Sequence, residues 1–172
     1  MYMAKIFYFG GQFMFRYKDY SIENIEKDYR SRVLGDYRLW LNENNDHCVK
    51  INDENYYVGP FYFTEEKSGH GIVNLESDSI NAATDCVFVL SNESAPGTVT
   101  EIIQATEIGK NIYIFYVKKD IPTEEVDTEF KSDLWYPITF AALNASNIEI
   151  YGFDTYDEAV DACIKRFDLY KK

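Results

Sequence analysis

Four short apolar runs constrain this chain more than anything else in it: "AKIFYF" at 4–9, "DCVFVLS" at 85–91, "NIYIFYV" at 111–117 and "IEIYGF" at 148–153. Each has strand length and is apolar at successive positions, so both of its faces must be covered. Helical spacing follows two of them. Val99, Ile102 and Ile103 follow the second run, with Gly109 placed to end that helix. Tyr156, Ala159, Cys163 and Phe167 follow the fourth, behind Thr155 as a cap. Ser21 can cap a further helix carrying Ile22, Ile25, Tyr29 and Val33 on one face. "CVKINDENYYVGPFYF" reads as strands around an Asn-Asp-Glu-Asn turn, "TEEKSGHG" as a loop, and "NLESDSINAAT" as a short helix capped by Asn74. "LWYPITFAAL" reads as helical after Pro137, and "PTEEVDTEFKSD" as an acidic, mobile loop. Strands alternating with helices give an α/β fold with a largely parallel sheet. Residues 1–172 contain no repeat and no linker-like stretch, so a single domain is expected. Ligands in such sheets bind beyond the carboxyl ends of the strands, where Gly10-Gly11 and the 91–98 loop fall.

Composition narrows the function. The net charge is -12 and no basic stretch offsets it, which argues against nucleic acid and anionic membranes as partners. No apolar run reaches membrane-spanning length, and the N-terminus reads as a first core strand, not a signal peptide. Cys48, Cys86 and Cys163 are widely spaced, so neither a disulfide framework nor a zinc site is expected, and the cytoplasm is the default compartment. Cys86 and Cys163 fall at core positions. With His47 and His70 the only histidines, a histidine-based metal site is not expected. There is no G-x-G-x-x-G and no Walker motif, so no cofactor is expected. A small anionic ligand held by backbone N–H groups remains compatible with the charge.

Glu101 is the residue on which function turns. Thr98-Val99-Thr100-Glu101 has the spacing of a capping box, as does Thr155 to Glu158. Yet Pro96-Gly97 precedes it, giving a tight turn where a ligand can approach the backbone. A carboxylate in the first helical turn would also be held ionised by the helix dipole, the state a nucleophile needs. Spacing alone leaves Glu101 between a cap and a catalyst.

"KIFYFGGQF", "DCVFVLSNESAPGTVTEIIQATEIGKNIYIF" and "ALNASNIEIYGFDTYDEAVDACIKRF" together resemble the nucleoside 2-deoxyribosyltransferase family, with its related nucleotide N-hydrolases. The resemblance implies a flavodoxin-like, doubly wound, mostly parallel five-stranded sheet flanked by helices. It implies cleavage of the N-glycosidic bond of a (deoxy)nucleoside or nucleotide, with transfer of the sugar to another base or to water. Glu101 matches the nucleophile, Tyr8 the strand tyrosine that orients it, and Gly10 the turn glycine beside the sugar. Gly97 and Thr98 form the loop-to-helix turn of the substrate site. The acid on the preceding helix corresponds to Asp78, although the register to Asp85 leaves Ser77 or Glu76 able to face the site instead. Phe61 or Phe63 would stack on a base and His70 would donate to it, or these are ordinary core and loop residues.

The resemblance departs at Ala95, where family members often carry a sugar-contacting Asp. Ser94 beside it would hold a 5′-phosphate, as in the nucleotide N-hydrolases, or serve only the turn. Hydrolysis therefore gains weight against transfer. The family also implies a homodimer or larger homo-oligomer, with "WYPITFAALNAS" at the interface and Asn144 a candidate to reach across it. Two other readings compete. One is a TIR-like NAD glycohydrolase, which also pairs a "VLS" strand with a helix glutamate but carries a Trp-Cys pattern absent here. The other is a non-catalytic nucleotide-sensing domain on the same fold.

Overall fold

The computed structural model describes residues 3–11, 21–61, 69–91, 96–119, 121 and 134–170, with the side chains of residues 69, 70 and 72 excepted. The strands are β1 (Lys5–Gly11), β2 (Val49–Lys50), β3 (Asn55–Gly59), β4 (Asp85–Leu90), β5 (Asn111–Val117) and β6 (Asn147–Phe153). The helices are α1 (Ile22–Lys27), α2 (Tyr29–Leu34), α3 (Arg38–Leu41), α4 (Gly69–Ala82), α5 (Pro96–Glu107), α6 (Trp135–Asn144) and α7 (Tyr156–Phe167). The sheet order is β2-β3-β1-β4-β5-β6. All neighbours are parallel except β2, which pairs antiparallel with β3 across the Asn-Asp-Glu turn. Without β2 the order is that of a flavodoxin-like sheet. The expected five strands are therefore six, the extra one a two-residue edge strand.

The strand alternation separates two cores. Phe7, Phe9, Tyr57, Val87, Val89 and Phe115 face α2, α3 and α7. Tyr8, Val58, Cys86, Phe88, Leu90 and Ile114 face α4, α5 and α6. Each strand thus contributes to both faces, which is why its apolar run is unbroken. Cys86 and Cys163 are buried free thiols.

Several helix boundaries differ from expectation, each for a local reason. The helix expected after Ser21 is two helices. Asp28 takes extended backbone (ψ 144°), and its side chain accepts from Arg30 N to cap α2. The Gly69-His70-Gly71 stretch is part of α4, not a loop, so Asn74 lies inside that helix and does not cap it. α5 begins at Pro96, a residue suited to a first helical position because it has no N–H to leave unpaired. Thr98 therefore lies inside α5 and does not cap it. α6 begins at Trp135, with Pro137 in its first turn. The second Thr-x-x-Glu does form a capping box, with Thr155 accepting from Glu158 N and Glu158 reaching back to Thr155 N.

Thr155→Ala should lower stability by about 1 kcal/mol, the usual cost of a lost N-cap. Urea unfolding followed by circular dichroism checks this. An unchanged midpoint would mean that the box contributes nothing to α7.

Candidate active site

β1 runs between β3 and β4 and delivers Tyr8 and Gly10 to the face covered by α4 and α5. Tyr8 is fully buried, its ring tilted against Phe88 at 6.4 Å. Gly10 lies directly beneath the side chain of Glu101. A Cβ there would come within 2.5 Å of the Phe88 ring and 2.9 Å of Glu101 Oε2. Only glycine lets the carboxyl rest on the strand backbone. Gly97 borders the same carboxyl, its Cβ position 4.0 Å from Glu101 Oε1. Thr98 is buried beside it in the first turn of α5.

Glu101 itself is 9% exposed. Its Oε2 and the Tyr8 hydroxyl are both buried, and neither makes a hydrogen bond of full geometry among the described residues. The two groups nevertheless lie close enough for each to bear on the other's ionisation. Buried polar atoms without partners are uncommon in native structures and call for an explanation. Here they flank one point at the carboxyl end of β1.

The helix before β4 supplies a second carboxyl. It belongs to Glu76, not Asp78: Asp78 is exposed and outside the cluster. The two positions are about 200° apart around α4, so only one of them can point inward. Glu76 is half-buried, and its carboxyl lies within hydrogen-bonding reach of Glu101. Burial, then the neighbouring Glu76 charge, push Glu101 up to about 8. Burial also raises Glu76, while Arg30 and the hydrogen bond with Glu101 pull it back. Pushed up to about 8, Glu101 keeps its proton at neutral pH, as a buried carboxyl beside a second one does. The helix dipole does not keep Glu101 ionised, as a first-turn position would have allowed. Because α5 starts at Pro96, Glu101 sits in the second turn, beyond the dipole's strong reach.

The remaining expected residues divide. Phe61 is half-buried, edge-on to Tyr57 at 5.0 Å, just past the end of β3. Ser94, Phe63 and the His70 side chain lie outside the described residues. Asn144 is exposed at the end of α6, where its amide donates to Phe140 O. Among the described residues no helix is long and apolar enough to cross a membrane, and no group of three or more His, Cys, Asp or Glu could hold a metal ion.

No family model matches the chain, and no curated protein matches its sequence. Among solved structures, the chain is similar to the CMP N-glycosidase BcmB of Clostridium botulinum, at 16% identity and a TM-score of 0.45, over 96% of this chain and 99% of that one. A likeness of this depth speaks to neither substrate nor site residues.

A buried acid that ionises late costs the fold stability as pH rises. Below about 4.5 Glu101 is protonated in both folded and unfolded chains and has no effect; between about 4.5 and 8 only the unfolded chain ionises, so stability falls. Glu101→Gln should therefore match the parent in acid and exceed it by on the order of a few kcal/mol above about pH 8. Urea unfolding across this range checks it. A variant with no advantage at alkaline pH would mean that the carboxyl is well solvated.

Proposed function

We propose that the protein cleaves the N-glycosidic bond of a (deoxy)nucleoside or nucleotide, with Glu101 as nucleophile and Glu76 as its proton partner. The observation that carries this reading is the buried Glu101 carboxyl with Glu76 within hydrogen-bonding reach, and with an unpartnered Glu101 oxygen and the Tyr8 hydroxyl at the ligand rim of the sheet. Two carboxyls of divided protonation are the apparatus of retaining glycoside chemistry.

The proton balance closes over two steps. In the first, Glu101 oxygen bonds to the anomeric carbon as the carbon–nitrogen bond breaks. The pair's single proton goes to the departing base, leaving Glu101 as a neutral ester and Glu76 as a carboxylate. In the second, water adds to the anomeric carbon and gives a proton to Glu76. Glu101 leaves as a carboxylate, and the pair again holds one proton. An acceptor base in place of water gives transfer, its proton taken up in the same way. Tyr8 orients the Glu101 carboxyl, Gly10 lets that carboxyl rest on the strand, Gly97 borders it where the sugar would lie, and Phe61, just past β3, would meet the base. Asp78 has no role in this scheme.

Two features bear on assembly. α6 exposes Tyr136 and Leu143, and β6 is a sheet edge with half-exposed apolar residues. This face suits a homodimer.

The test is incubation with deoxynucleosides, their 5′-monophosphates and NAD, with and without free adenine, followed by chromatography of free base and new nucleoside. Base release or exchange is expected, falling at least ~100-fold in Glu101→Ala and by a smaller factor in Glu76→Gln. Turnover of NAD in preference to the others would favour a TIR-like glycohydrolase. Tight binding of a nucleotide without turnover, unchanged in Glu101→Gln, would favour a sensing domain and overturn the proposal.

A further inference from the structure

The far side of β1 carries a buried cation that no step above uses. Arg30, 2% exposed, lies at the start of α2. Its Nε donates to Phe9 O at 2.9 Å and its Nη2 to Gly11 O at 2.8 Å. Its Nη1 donates to both oxygens of the buried Asp28, at 3.0 and 3.1 Å. The Tyr29 hydroxyl donates to the carbonyl between, Gly10 O. Three successive carbonyls at the end of β1 are thus held by two adjacent residues of one helix.

The reason for the clamp is in the strand register. β3 pairs with β1 only as far as Tyr8 against Gly59, whereas β4 follows β1 to Gly11 against Val89. Beyond Tyr8 the β3 side of β1 has no strand partner among the described residues. Carbonyls two residues apart point to the same strand edge, and Arg30 takes Phe9 and Gly11 as a continued strand would. The clamp therefore brackets Gly10, the residue on which the Glu101 carboxyl rests.

We propose that Arg30 is a positioning residue of the candidate site: from behind β1 it fixes the strand end on which the Glu101 carboxyl rests, and so holds that carboxyl in place beside Glu76. The proposal rests on the reading of that pair as the reactive group. Tyr8 from β1 and Glu76 from α4 lie against Glu101, Cys86 from β4 shares their side of the sheet, and Tyr57 from β3 feels the Glu101 charge from the other side. Arg30 lowers the proton affinity of both Glu76 and Glu101. Its own partner, Asp28, bears on Tyr29 and Tyr57.

The experiment titrates the side-chain carboxyls of the whole protein by carbon-13 NMR, with Glu76→Gln and Glu101→Gln assigning the two signals. Arg30→Gln should move the lower midpoint of the pair upward by about one pH unit, a tenfold change in proton binding. Arg30→Lys, which keeps the charge, should restore it to within a few tenths of a unit. If Arg30→Gln does not fold because Asp28 is left unpaired, Asp28→Asn/Arg30→Gln removes both charges together, leaving neither unpaired, and should show a smaller shift in the same direction. Midpoints unmoved in the folded neutral variants, or moved equally by Arg30→Lys, would overturn the proposal. Absence of turnover in the parent protein alongside the expected shift would remove the enzymatic reading and leave the brace standing.

Discussion

A carboxyl group kept from water is the constraint around which this structure is arranged. Glu101 rests on the backbone of Gly10, against Phe88 and beside Tyr8, with one oxygen lacking a partner. Burial of a lone carboxylate is prohibitive, so the group must hold a proton, find a cation or lose stability. All three occur here. Burial and the neighbouring Glu76 make Glu101 keep its proton, Arg30 supplies a cation from behind the strand, and the remaining cost is borne by the two cores. Arg30 needs its own compensation, which Asp28 and the two β1 carbonyls provide. Breaking a buried pair of this kind by removing one partner costs about 3–5 kcal/mol, more than a surface ion pair returns. The chain of dependence runs from α2 through the end of β1 to the carboxyl on α5.

The sheet was legible because its signal is repeated. Unbroken apolar runs can only be strands covered on both faces, and their alternation with helices leaves few topologies. The rim was legible for the same reason, since the ends of β1 and β4 follow from where the runs stop. Tyr8, Gly10, Gly97 and Glu101 meet there. What the sequence hides is angular phase and local breaks. Glu76 and Asp78 differ by two positions, which reverses their direction on α4, and the start of that helix was obscured by its glycines. Asp28 breaks a segment whose apolar spacing reads as continuous helix. Nothing in a pattern distinguishes Arg30 from a solvated helix arginine, because its partners are carbonyls of a strand nineteen to twenty-one positions away.

The two Thr-x-x-Glu segments show how far three residues of helix phase reach. In α7 the helix starts after Thr155, so Glu158 occupies the third position and bonds back to the cap. Both members are exposed and the arrangement is purely local. In α5 Pro96 starts the helix two residues before Thr98. Glu101 is then the sixth residue of the helix, past the capping-box position and without a strong dipole field to ionise it. It turns instead toward β1, where burial and Glu76 set its protonation. Identical spacing thus yields a cap at one helix and a proton-bearing buried acid at the other. The difference comes from a proline in the loop and a glycine in the facing strand. Pro96 shifts the helix start, and Gly10 opens the space beneath the carboxyl. Either change alone would leave Glu101 without a place to go: a capping helix start would hold it at the surface, and a side chain at position 10 would exclude it from the strand. Both are needed to convert a common surface motif into an acid at the ligand rim.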